Sequence, residues 1–256
     1  MLSTFKKSLK LVGDTTDLNC LVGVIQQHAC ISVTPRKKRE ANVNALFRDR
    51  IEAGQRLGQA LLERHGKKPG TRVLGLPRGG VPVANEVAQA LHAPLDVLVV
   101  RKLGLPAQKE YAMGAIASGG ITYLDETVIK AMQVSRQSLE AVIEAESIEL
   151  SRRERAYRNG RKPLDIKKQN VILVDDGLAT GATMRAAIAA AKAMKPARII
   201  VAVPVAAAET IEEIRREVDE IISLATPFPF RAVGVWYEYF PQTTDEEVQA
   251  LVSLTN

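Results

Sequence analysis

Apolar residues recur along this chain with two different periods, and the changes between them mark its elements. From Ala45 onward, Leu46, Phe47, Ile51, Leu57, Leu61 and Leu62 form one stripe at helical spacing. The run Arg72-Val-Leu-Gly-Leu76 reads as a buried strand, broken by Pro77 and a glycine pair before a helix that extends to about Leu91. Leu95 to Lys102 reads as one strand ending in two cations, Gly104 to Gln108 as a loop, and Ala112 to Leu124 as short strands around Gly119-Gly120. A long charged helix is predicted from Ser135 to Arg158, stopped by Asn159-Gly160. Val171-Ile-Leu-Val174 has no polar position, which fits a parallel strand buried on both faces, and a helix from Met184 to Met194 follows it. Arg198 to Pro204 and Ile221 to Leu224 read as strands around a helix from Glu209 to Val218. The tail carries Pro227, Pro229, Pro241 and the single tryptophan, Trp236, before a last helix capped by Thr244 with Glu247 at the capping-box position. Strands alternating with helices predict an α/β fold: a doubly wound, mainly parallel sheet flanked by helices.

Composition sets bounds without naming a function. A chain of 256 residues, 46% hydrophobic and 25% charged, is ordinary for a globular protein and long enough to bury a sizeable core. The net charge of +6 suits an anionic substrate as well as a nucleic acid. Aromatics make up only 4% and are not interleaved with the basic residues, so a nucleic-acid platform is not indicated. The two cysteines, Cys20 and Cys30, offer neither a disulfide framework nor metal-ligand spacing, and a cytoplasmic setting is the expectation. No apolar run approaches the ~18 residues of a membrane span. Near the start, Lys6, Lys7 and Lys10 precede Gly13, Asp14 and Asp17, which interrupt any apolar core, and residues 36–39 form a short basic run. Residues 1–41 are expected to be a poorly ordered extension, and residues 42–256 a single domain.

The chemistry concentrates in Val171-Ile-Leu-Val-Asp-Asp-Gly-Leu-Ala-Thr-Gly-Ala-Thr183. A buried strand here delivers Asp175 and Asp176 to its C-terminal edge, where open α/β sheets bind ligands. Small and hydroxyl residues then lead into a helix and leave backbone N–H groups uncovered at its N-terminus, a geometry that holds phosphate. Carboxylates for sugar hydroxyls beside a phosphate cradle describe a site for a phosphorylated sugar. A second strand-turn-helix unit, residues 72–84, places Arg78 beside Gly79 and Gly80, so a fixed cation adjoins backbone that can approach an anion closely.

These residues resemble the binding motif for 5-phosphoribosyl 1-pyrophosphate (PRPP) of the type I phosphoribosyltransferases. The resemblance spans roughly residues 42–240, with motif-level specificity at 76–84 and 171–183. It implies the family's sheet with a small hood region, and a transferase that moves a phosphoribosyl group to a nitrogenous base or related acceptor with release of pyrophosphate, a glycosyltransferase of nucleotide metabolism. It implies that Asp175 and Asp176 contact the ribose hydroxyls and, through water, Mg²⁺. By the same likeness Gly177 and the run Ala179, Thr180, Gly181, Ala182 and Thr183 hold the 5′-phosphate. Arg78, Gly79 and Gly80 resemble the family's pyrophosphate loop, in which a cis peptide is expected at Pro77–Arg78 or Arg78–Gly79. Arg101 and Lys102 resemble the basic pair before the mobile loop of orotate phosphoribosyltransferases, which places that loop at residues 103–113; two solvated charges at a strand end is the other reading. The likeness also implies a homodimer.

One departure matters. Hypoxanthine-guanine-type members carry an aspartate where this chain has Ala179. A general base must then come from elsewhere, and Glu110 is the candidate by location. With Arg78 and Lys102 it completes the expected catalytic group. A PRPP-sensing protein with little transferase activity is the alternative reading; no fused recognition domain is visible, and the intact Arg-Gly-Gly loop favours catalysis.

Overall fold

Helix α1 (Arg50–His65) starts where the Asp49 carboxylate accepts the Glu52 N–H at 2.9 Å, and it ends at Gly66, whose φ of 62° lets its N–H return to the Leu62 carbonyl. The helix therefore begins later than the apolar stripe implies. Leu46 and Ile51 stay 40% and 39% exposed, while Phe47 packs its ring 5.5 Å from that of Tyr237. The computed structural model describes residues 45–106, 108–158 and 160–253. The expected N-terminal extension, residues 1–41, lies outside them.

After α1 come strand β1 (Thr71–Gly75), helix α2 (Gly80–Leu91) and strand β2 (Leu95–Val97). Strands β3 (Val100–Leu105), β4 (Gln108–Ala117) and β5 (Ile121–Leu124) precede helices α3 (Glu126–Ala131) and α4 (Arg136–Arg158). The chain continues through β6 (Asn170–Val174), α5 (Ala182–Ala193), β7 (Arg198–Val205), α6 (Ala208–Arg215) and β8 (Glu220–Ala225). A 3₁₀ turn at Val233–Trp236 leads to α7 (Asp245–Ser253). The capping box holds: the Thr244 N–H donates to Glu247 at 2.8 Å and the Glu247 N–H donates to the Thr244 hydroxyl at 3.2 Å.

Five strands form a wholly parallel sheet in the order β2-β1-β6-β7-β8. The alternation of strand side chains divides the core between its two faces. Val171, Leu173, Val201 and Val203 face one way, onto Met184 and Ile188 of α5 and Ile211 and Ile214 of α6. Ile172, Val174, Ile200 and Ala202 face the other, onto Leu57 and Leu61 of α1 and Val83 and Val87 of α2. Both faces are covered, which is why these strands read as unbroken apolar runs. From β1 the chain winds outward to β2, and from β6 it winds the opposite way to β7. The strand order reverses between β1 and β6, and a crevice at the carboxyl ends of such a pair is where this architecture binds ligands.

The run Leu95–Lys102 is not one strand. It breaks at Leu98-Val99, and its second half leaves the parallel sheet to begin a three-stranded antiparallel sheet, β3-β4-β5. The described residues of 103–113 lie mostly in strands: β3 and β4 pair antiparallel and bury Leu103, Leu105 and Met113 against Leu150 and Tyr157 of α4 and Val248 of α7. The alternation of apolar side chains outweighs the glycine and proline content that signalled a loop. Beside the parallel sheet the fold thus has a small antiparallel one. Among the described residues no helix is long and apolar enough to cross a membrane.

One buried ion pair ties the two sheets' supports together. Arg158, at the end of α4, grips Asp96 of β2 with Nε to Oδ1 at 3.1 Å and Nη2 to Oδ2 at 2.9 Å, and Nη2 also donates to the Lys162 carbonyl. Asp96 is 4% exposed and Arg158 8%, so removing one partner strands the other charge without water. Arg158→Met should lower unfolding stability by about 3–5 kcal/mol. A urea midpoint unchanged from the parent would refute that role.

Candidate functional site

Strands β1 and β6 pair in register up to Gly75 and Val174, so the segments beyond them emerge side by side. The Leu76 N–H still donates to the Val174 carbonyl at 2.9 Å, and the Arg-Gly-Gly turn begins two residues later. The Pro77–Arg78 peptide is cis, at one of the two places expected. Gly79 and Gly80 lie directly on the acidic pair. A Cβ at Gly80 would stand 2.7 Å from the Val174 carbonyl oxygen and 2.9 Å from Asp175 Oδ1, and one at Gly79 would overlap Asp176 Oδ2. Here the glycines serve close approach; Gly79 has an ordinary helical φ of −62°.

Beyond β6 the acidic pair is ordered by its own backbone, with the Asp176 N–H donating to Asp175 Oδ1 at 2.9 Å. Leu178 then bridges to Ala206, and the Thr210 hydroxyl donates to the Ala179 carbonyl at 2.5 Å, fixing the loop to the end of β7 and to α6. Gly181 enters α5 with φ of 71°, and no side chain caps the helix. Thr180 and Thr183 are exposed at this helix start, whose first N–H groups have no partner within the helix, a combination suited to an anion. Thus Arg78 to Gly80 and Asp175 to Thr183 come together at the sheet's carboxyl edge.

The other expected residues fall differently. Arg101 sits within β3 and pairs with Glu146 of α4 at 2.6 Å, so its guanidinium is turned to the helix that backs the small sheet. Lys102 lines a cavity of about 500 Å³ between the small sheet and α5, together with Tyr111, Tyr123, Arg185 and Ala182 of the phosphate-type loop. Glu110 belongs to β4 by its backbone; its side chain lies outside the described structure.

Several residues at the site carried no signal in the sequence. Arg50, the first residue of α1, reaches Asp176 Oδ2 with Nε at 2.9 Å and Nη2 at 2.8 Å. The Tyr237 hydroxyl donates to the Asp176 carbonyl at 2.6 Å. Asp245, at the start of α7, lies 3.6 Å from the Arg78 guanidinium and accepts the Tyr157 hydroxyl at 2.8 Å. Each lies dozens of residues from its partner, and no local spacing marks such a contact. Burial, followed by the bond to Asp245, pushes the Tyr157 hydroxyl up to about 12, so it remains a donor at neutral pH.

The electrostatics of the acidic pair follow from crowding. Burial raises the Asp175 carboxyl well above the ordinary carboxylate range, and the adjacent Asp176 charge adds to that rise. Burial also raises Asp176, but there Arg50 opposes it by charge and by hydrogen bond. A site that holds anionic carboxylates at such a cost favours ligands bringing hydroxyl donors or cations. Among the described residues no cluster of three or more histidine, cysteine or carboxylate side chains forms a cage for a metal ion.

Comparison with known proteins agrees with this geometry. The sequence model of the phosphoribosyl transferase domain matches residues 48–239. "Putative phosphoribosyl transferase Rv0571c" of Mycobacterium tuberculosis (strain ATCC 25618 / H37Rv) is 45% identical over 207 residues, 81% of this chain and 46% of that protein. Its counterpart MT0597 from strain CDC 1551 / Oshkosh of the same species matches to the same extent. The chain thus spans about half the length of these curated relatives, 46%. The crystal structure of TT1426 from Thermus thermophilus superposes with a TM-score of 0.74 at 41% identity, covering 82% of this chain and 98% of that one.

The crowding of the acidic pair has a measurable consequence for stability. A carboxyl whose folded pKa exceeds its unfolded value of 3.8 binds its proton more tightly in the native state. Stability is then fully present below that value and is lost as pH rises through the folded pKa. Asp175→Asn removes the loss. In metal-free buffer the variant should melt higher than the parent at neutral pH, with the difference vanishing below about pH 4. A melting difference that does not vary with pH would contradict the burial of this charge.

Proposed function

The chain belongs to the phosphoribosyl transferase domain family, and from that membership we propose that it transfers the 5-phosphoribosyl group of PRPP to a nitrogenous acceptor with release of pyrophosphate. The observation that carries this reading is the meeting of two motifs at one sheet edge. Gly79 and Gly80 are pressed onto Asp175 and Asp176, with the uncapped start of α5 alongside.

In this reading Asp175 and Asp176 accept hydrogen bonds from the ribose hydroxyls and fix the sugar. The loop from Ala179 to Thr183 holds the 5′-phosphate with N–H groups and hydroxyls at the positive end of α5. Arg78 lies on the pyrophosphate side. As the bond from C1 to the pyrophosphate oxygen breaks, the electron pair leaves with pyrophosphate and the sugar takes on oxocarbenium character. The acceptor nitrogen then donates its lone pair to C1. Arg78 is worth most at that moment, because negative charge develops on the group it faces. The adjacent carboxylates of Asp175 and Asp176 are hard oxygen donors that fit Mg²⁺, and they would hold it through water. When bound it neutralises charge on the departing pyrophosphate.

The acceptor side is assigned to the small sheet. The cavity beside Ala182 offers the half-exposed rings of Tyr111 and Tyr123, with Lys102 and Arg185 at its walls, a surface suited to a flat heterocycle. Because Ala179 lacks a carboxylate, hypoxanthine and guanine are expected to be poor acceptors. Glu110 in β4 stays the candidate general base. The same reading takes the protein to be a cytoplasmic homodimer.

Incubation with PRPP, Mg²⁺ and a panel of purine and pyrimidine bases tests this reading through pyrophosphate release. Arg78→Ala should lower turnover by about 10²–10³ while leaving ribose 5-phosphate binding nearly intact, since that ligand lacks the pyrophosphate. Tight PRPP binding with no release for any base would assign the site to sensing instead.

A further inference from the structure

Arg50 is placed more deliberately than a stabilising ion pair requires. It is 9% exposed, and every part of its guanidinium is engaged. Nη1 donates to the Pro241 carbonyl at 2.6 Å, and the guanidinium carbon lies 3.7 Å from the centroid of the Phe240 ring. Nε donates to Oδ2 of Asp176 at 2.9 Å, and Nη2 lies 2.8 Å from the same oxygen. That same oxygen is the one against Gly79. Arg50 and Gly79 thus share one oxygen of Asp176.

We propose that Arg50 is a positioning residue for sugar recognition: it anchors Asp176 through Oδ2 so that Oδ1 is presented to a ribose hydroxyl, and it locks residues 237–241 behind that carboxylate. The inference rests on the reading of this site as one for a ribose phosphate. Its physical content is directional. A carboxylate held by one oxygen, with its main-chain carbonyl also tied by Tyr237, cannot rotate, and the sugar does not have to order it on binding. Lysine cannot substitute. A compact ammonium has no planar fork to hold Asp176 Oδ2 and the Pro241 carbonyl together while lying flat on Phe240.

The test compares parent protein and Arg50→Lys by calorimetry with two probes, ribose 5-phosphate and inorganic phosphate, with thermal melting as the check on folding. The phosphate loop lies on other elements, so inorganic phosphate affinity should stay within about twofold while ribose 5-phosphate affinity falls about tenfold or more. A lysine variant that keeps the parent's preference for the sugar phosphate overturns the inference. A parent that binds ribose 5-phosphate no better than phosphate overturns the site reading, and the inference with it. Should Arg50→Lys fail to fold, Phe240→Leu removes the ring beneath the guanidinium and keeps the charge pair. The same selective loss is then expected in smaller measure, and an unchanged preference overturns the proposal.

Discussion

The ends of β1 and β6 can meet because Gly79 and Gly80 have no side chains. With any Cβ at these positions the Arg-Gly-Gly turn would collide with Asp176 Oδ2, Asp175 Oδ1 or the Val174 carbonyl. Much else follows from that contact. It sets the distance between the cation at Arg78 and the acidic pair, and it fixes where α2 starts. It also walls the side of Asp176 at Oδ2, the oxygen that Arg50 holds. Steric permission at two residues thereby organises a site drawn from chain segments nearly a hundred residues apart.

The site's electrostatics are left unbalanced by the fold. Two neighbouring carboxylates are drawn away from water at the edge of an apolar sheet, and Arg50 compensates only Asp176 directly. A few residues on, the start of α5 presents uncapped N–H groups and exposed hydroxyls. A ligand that carries hydroxyls at one end and a phosphate at the other relieves both conditions together, whereas a simple anion or a simple sugar relieves one.

The fold was legible in the sequence where local periodicity decided it. Strands buried on both faces, such as Val171–Val174, and the capping box at Thr244 and Glu247 depend on neighbours within a few residues, and the structure has them as read. The motif-bearing loops were legible for the same reason. What escaped was set by distance or by the partner. The Arg50–Asp176 contact joins residues 126 apart, so α1's first residue looked like any polar position beside an apolar stripe. Leu95–Lys102 reads as a single strand because nothing in it marks a change of sheet at Leu98-Val99. Residues 103–113 look like a loop until Leu103, Leu105 and Met113 find α4 and α7 to pack against. By its sequence Arg101 is a site cation or a solvated charge, and the opposing Glu146 that pairs with it lies on a helix 45 residues away.

The segment from Tyr237 to Asp245 touches both motifs: Tyr237 at the Asp176 carbonyl, Phe240 and Pro241 at Arg50, Asp245 beside Arg78. The parallel sheet, both motifs and the small sheet all precede it in the chain, and so leave the ribosome before it. A growing chain that has already made every motif residue therefore still lacks the backing of Arg50 and the counter-charge of Arg78. Completion of the crevice is thus deferred until this later segment has been synthesised. A chain clipped ahead of residue 237 would keep both signature motifs while lacking the wall that holds them in place.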